Sequence, residues 1–171
     1  MKIILLGYMG SGKSTIGKVL ANELNLSFVD LDHAIENEMG MTIREFFEVS
    51  GELKFRRLEN EVLTKVLAEN DQMILSTGGG TPCYGNNLQL MKSASNAKVL
   101  YLKASIKTLT ERLWSEKDTR PLIQSIGDDD LPEFIGKHLF ERSNFYLQAH
   151  HLIEIDQKSV EMIVREIAEL L

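Results

Sequence analysis

The stretch GYMGSGKST (residues 7–15) sets three glycines, a lysine, two serines and a threonine directly behind the apolar run KIILL. Gly7, Gly12, Lys13 and Ser14 fit the spacing G-x-x-x-x-G-K-[ST]. The chemistry this pattern can do is capture of phosphate. Glycines let successive backbone N–H groups turn inward around phosphate oxygens, and a helix beginning near Lys13 adds the positive end of its dipole. Lys13 can reach β- and γ-phosphates, and the Ser14 hydroxyl can ligate Mg²⁺. A glycine-rich turn with an exposed lysine is the plainer alternative. Here, however, a strand signal precedes the run and a helical one follows it, which is the context a phosphate loop requires. The loop is read as a nucleoside triphosphate site.

Two acids, Asp30 and Asp32, stand one residue apart in FVDLD. On a continuing strand both would face one side, and in a parallel sheet the end of that strand meets the crevice where the phosphate loop lies. One acid would help hold Mg²⁺, and the other would orient an acceptor hydroxyl or take its proton. Capping of the following helix explains Asp32 equally well when it is taken alone; beside a phosphate loop, function is favoured. STGGG (residues 76–80) closes another strand signal with three consecutive glycines, which points to close approach of backbone and ligand.

The elements that must position these groups alternate along the chain. Strand signals cover Lys2–Leu6, Leu26–Asp32, residues 72–76, Ala97–Ala104 and residues 151–155. Helical spacing follows from Lys13 (Ile16, Val19, Leu20, Leu24), from about Leu53 to Glu69, from Ile106 to Trp114, from Leu131 to about Ala149 and from Ser159 onward. Thr42 with Glu45 forms a capping box. The polar segment 116–130, containing Arg120 and Pro121, predicts a mobile lid. The expected fold is an α/β, three-layer α/β/α domain of the P-loop NTPase type with a five-stranded parallel sheet.

Bulk properties narrow the function. The 171 residues, 43% apolar and 26% charged, suit one soluble domain spanning 1–171. A net charge of −6 excludes nucleic acid as the main partner and requires local cations for any anionic substrate. No apolar run predicts a membrane span or secretory leader, and the lone cysteine, Cys83, predicts a reducing cytoplasm.

GYMGSGKST, FVDLD, FRRLE (Phe55–Glu59), STGGG, RPL (Arg120–Leu122) and ERSNFY (Glu141–Tyr146) occur in the order seen in shikimate kinases. The resemblance covers nearly the whole chain, and the combination is far more specific than any single motif. It implies transfer of the γ-phosphoryl of ATP to the 3-hydroxyl of shikimate by a Mg²⁺-dependent monomer. It further implies that Gly10, Ser11, Gly12, Lys13, Ser14 and Thr15 hold ATP, and that Ser14 and, through water, Asp30 serve the metal. Asp32 would bind the acceptor and aim or deprotonate its hydroxyl. Arg56 and Arg142 would clamp the carboxylate, Gly79 would offer a backbone N–H to the acceptor, and Arg120 would descend with the lid onto the phosphates. A guanidinium is well matched to a carboxylate, although surface pairing of Arg56 with Glu52 or Glu59 is the plainer reading of that residue alone. Arg112 is the candidate to pack on adenine. The loop 156–161, which often contains a proline in that family, has none here.

Kinases of gluconate or of nucleoside monophosphates share such a loop. Adenylate-kinase-like loops usually carry a proline where Met9 or Gly10 stands, and this chain has none there. GTPases usually need N-K-x-D and D-x-x-G segments, which are lacking.

Overall fold

A computed structural model describes residues 1–117 and 121–171. Five strands, β1 (Lys2–Leu6), β2 (Ser27–Asp30), β3 (Met73–Ser76), β4 (Ala97–Lys103) and β5 (His151–Glu154), form a parallel sheet in the order β2-β3-β1-β4-β5. The helices are α1 (Lys13–Leu24), α2 (Leu31–Met39), α3 (Ile43–Glu69), α4 (Asn87–Ser93), α5 (Ile106–Ser115), α6 (Pro121–Gln124), α7 (Leu131–Tyr146) and α8 (Val160–Glu169).

The sheet separates two apolar layers because side chains alternate along each strand. Ile3 and Leu5 of β1 pack with residues of α1, α5, α7 and α8, whereas Ile4 and Leu6 pack with residues of α2, α3 and α4. All five residues of β1 are buried, as its central position demands. The parallel register places Ser76 beside Leu5 and beside Asp30, so the ends of β1, β2 and β3 meet at one edge of the sheet.

Several expectations are corrected. Val19 is 37% exposed instead of joining the apolar stripe of α1. The second strand stops at Asp30 because its carboxylate caps α2, accepting from the Asp32 N–H. By contrast, the Thr42–Glu45 capping box opens a helix as expected, and non-helical backbone at Gly51 (φ 75°) kinks α3 between that first helix and the expected stretch over Leu53–Glu69. Within 116–130, α6 places Ile123 fully inside the core, so this stretch is not wholly polar loop. Among the described residues no helix is long and apolar enough to cross a membrane.

Candidate active site

The loop between β1 and α1 is built on left-handed backbone at Gly10 (φ 80°) and Gly12 (φ 85°), conformations that side-chain-bearing residues rarely adopt. Gly12 occupies the N-cap of α1 without a side-chain cap, and no acid stands in the first turn. Its leading N–H groups and dipole are therefore available to an anion. Lys13 is 8% exposed, and its Nζ donates to the carbonyls of Gly7 (2.8 Å) and Tyr8 (3.0 Å). The Ser11 hydroxyl is fully buried and, among the described residues, has no hydrogen-bond partner. Such an orphan is costly unless a ligand or water meets it. Thr15 is exposed on the next turn and lines the same cavity.

Beside the loop, Ser14 Oγ donates to Asp30 Oδ2 at 2.7 Å and lies 3.3 Å from Ser76 Oγ. This compact group of hard oxygens fits Mg²⁺, which keeps several waters and needs only one or two protein ligands beside phosphate. No cluster of three acidic, histidine or cysteine ligands occurs among the described residues.

Asp32 differs from its expected placement. It lies in the first turn of α2, not on a strand shared with Asp30, and Asp30 is the cap. Burial, then the neighbouring Asp30 charge, pushes the Asp32 carboxyl up to about 6, against the opposing pull of Lys13. Protein atoms crowd the carboxyl, yet the residue is exposed to the open cleft. Solvent entering that cleft moderates the push.

The three glycines after β3 have a steric reason. A Cβ on Gly78 would stand 2.9 Å from Asp32 Oδ1. On Gly79 it would meet the Met9 nitrogen at 3.4 Å and Arg142 Nη1 at 3.5 Å, and on Gly80 Arg56 Nη2 at 3.0 Å. Consecutive glycines thus bring an acid and two guanidiniums around one turn, next to the phosphate loop. The groups that approach these glycines closely are the chain's own side chains, whereas the expectation was of approach to a ligand.

Arg56 forms the ion pairs with Glu59 and Glu52 that its neighbours in the sequence suggest. Its Nη1 donates to Glu59 at 3.0 Å and its Nη2 lies 3.3 Å from Glu52. Its guanidinium lies 3.8 Å from the centre of the Tyr84 ring. Burial alone would lower the pKa of Arg56, but Glu59, with smaller help from Tyr84 and Glu52, reverses it and the net displacement is upward. Glu59, 1% exposed, also accepts from Thr81 Oγ1 at 2.7 Å, which anchors the glycine turn to α3. On the other side, Tyr146 Oη donates to the Gly79 carbonyl at 2.6 Å, and Arg142 lies over the Tyr8 ring at 5.5 Å.

A cavity of about 390 Å³ joins Lys13, Asp30, Asp32, Gly79, Arg112 and Val160. Arg112 Nη1 donates to the Gly10 carbonyl at 3.1 Å, and Val160 lies within the proline-free stretch 156–161. Arg56 instead lines a separate cavity of about 730 Å³ with Tyr84 and Asn87. Arg120 lies outside the described residues. Cys83 is a half-buried thiol whose pKa burial raises to about 11, against smaller opposing effects of Arg142 and Arg56. Sequence reasoning gave no role to Tyr84, nor to Tyr8, Tyr146 and Glu59 beyond their place in the quoted motifs and a surface pairing of Glu59. Their contacts join distant segments and leave no local pattern.

A parallel sheet of this order, with a phosphate loop after its central strand and a cleft at the strand ends, defines a P-loop kinase-type α/β protein. The sequence pattern of the family "Shikimate kinase" matches residues 9–171. A shikimate kinase from Flavobacterium psychrophilum is 45% identical over 170 residues, covering 99% of this chain and 98% of that protein. The 1.7 Å crystal structure of shikimate kinase from Bacteroides thetaiotaomicron superposes with TM-score 0.92 at 37% identity, covering 99% of this chain and 97% of that one. Shikimate kinase from Acinetobacter baumannii, solved in complex with shikimate, gives TM-score 0.88 at 33% identity, covering 99% and 91%. The chain belongs to the shikimate kinase family.

Proposed function

We propose that the chain transfers the γ-phosphoryl group of ATP to the 3-hydroxyl of shikimate, giving shikimate 3-phosphate and ADP in aromatic amino acid biosynthesis. The observation that carries this reading is the Gly78–Gly80 turn, around which Asp32, Arg142 and Arg56 gather beside the phosphate loop. Family membership supplies the acceptor's identity, and the gathered charges suit a small hydroxylated carboxylate.

In this reading residues 10–15 cradle the triphosphate. Lys13 exchanges its loop carbonyls for phosphate oxygens, and Ser11 gains a partner. Ser14 directly and Asp30 through water would hold Mg²⁺, which when bound neutralises phosphate charge. Asp32, ionised at neutral pH, orients the acceptor hydroxyl toward the phosphorus and receives its proton. Arg56 and Arg142 hold the carboxylate through charge-assisted hydrogen bonds, and the Gly79 N–H adds a donor to the acceptor. Arg120 would join the phosphates from the 116–130 lid of a single domain, and Arg112 would pack on adenine. Catalysis then comes mainly from positioning and charge neutralisation. The cytoplasm suits the lone thiol.

The test is the position of the new phosphate ester. Phosphorus–proton correlation spectroscopy on the product of Mg-ATP and shikimate should couple the phosphate to the ring proton at carbon 3. An ester at another hydroxyl would overturn the assigned orientation.

A further inference from the structure

Helix α7 places His138, Arg142 and Tyr146 four residues apart, one above another on successive turns. Arg142 and Tyr146 have clear tasks, at the acceptor side and at the Gly79 carbonyl. His138 has none in the reading above, yet it is held on both sides. Its Nδ1 lies 3.0 Å from Tyr8 Oη, and its ring packs at 4.2 Å between centroids on Phe134.

The Tyr8 ring is 1% exposed and forms the surface under the Arg142 guanidinium. Burial, outweighing the opposing effect of Arg142, pushes the Tyr8 hydroxyl up to about 12, so it keeps its proton. Burial, then Arg142, lowers the pKa of His138 and keeps the imidazole neutral. In the tautomer with its proton on Nε2, the imidazole accepts at Nδ1 from the Tyr8 hydroxyl. One hydrogen bond thus fixes the plane of the ring that supports Arg142. Tyr8 is held at its other end as well, because its carbonyl accepts from Lys13 and from the Ser11 N–H at 3.1 Å.

We propose that His138 is a positioning residue: by accepting from Tyr8 it fixes the aromatic surface on which Arg142 is aimed at the acceptor carboxylate. The inference rests on the reading of Arg142 as a carboxylate clamp. A merely structural role would require only that a buried hydroxyl be satisfied, and would show in stability without selecting one substrate.

The experiment measures kcat, the KM of shikimate, the KM of Mg-ATP and the melting temperature for Tyr8→Phe, His138→Leu, their double variant, His138→Asn and Arg142→Ala. Loss of one such bond should raise the KM of shikimate about fivefold in each single variant and leave that of Mg-ATP within about twofold. The double variant should be no worse than either single one, since both remove the same bond. Asparagine, whose oxygen occupies the place of Nδ1, should restore the parent value. Unchanged shikimate KM in Tyr8→Phe and His138→Leu, while Arg142→Ala raises it, would overturn the role of His138 alone. Multiplying effects in the double variant, or a shift in the KM of Mg-ATP instead, would overturn it as well. Unchanged shikimate KM in Arg142→Ala would overturn the clamp and this inference together.

Discussion

Replacing Arg56 with alanine removes a partner from Glu59, whose side chain is 1% exposed. Breaking a fully buried pair from one side costs about 3–5 kcal/mol, because a charge is left without its counterpart. Arg56 is itself 18% exposed, and Thr81 still donates to Glu59 at 2.7 Å, so the loss falls below that range. The second carboxylate, Glu52, is 54% exposed and contributes little. Contact with the Tyr84 ring adds about 0.5–1 kcal/mol. Together these give about 3 kcal/mol, which for a chain of this size lowers the melting temperature by about 6–12 °C. Calorimetry of Arg56→Ala, Glu59→Gln and the double variant reads this directly. The double variant should recover at least half of the loss, since the buried charge is gone, while phosphoryl transfer stays absent because the guanidinium is still missing. A single variant melting within about 2 °C of the parent, or a double variant melting no higher than Arg56→Ala, would refute the reasoning.

Other consequences follow from the acids and the metal oxygens. With the Asp32 carboxyl near 6 in the folded chain, kcat/KM should show an acid limb with a midpoint near 6, as a pH–rate profile measures. Because this value lies above the ordinary 3.8, Asp32 favours the folded state at acid pH. That contribution is complete below the ordinary value and is lost as the pH rises through about 6, so Asp32→Asn should flatten this part of a stability–pH curve. A limb near 4, or no change on substitution, would contradict the assignment. Asp30→Asn keeps an oxygen able to cap α2 but removes the charge beside Ser14. Activity titrated with Mg²⁺ should then need about 10–100-fold more metal, with the melting temperature little changed.

How much of this was legible in advance depended on whether the cause was local. The phosphate loop was readable because left-handed backbone at Gly10 and Gly12 demands glycine. The sheet was readable because a buried parallel strand such as KIILL needs a continuous apolar run. Asp32 was placed in the right cleft for the wrong local reason, since the boundary between β2 and α2 turns on the Asp30 cap rather than on apolar spacing. The glycine triplet announced close approach, but nothing in its neighbourhood says that Asp32, Arg142 and Arg56 are what approach. Tyr8 meets His138 across 130 residues and Tyr146 meets Gly79 across 67. Such pairings come from strand order and helix packing, which no short pattern encodes.

The central claim, that the cleft transfers the γ-phosphoryl of a triphosphate donor to shikimate in particular, is tested most directly by ADP release from Mg-ATP. Release should be measured with shikimate, gluconate, AMP or no acceptor. The account predicts stimulation by shikimate alone, abolished in Arg56→Ala even at temperatures where that variant remains folded. Equal release without acceptor, or stimulation by gluconate or AMP instead, would contradict it.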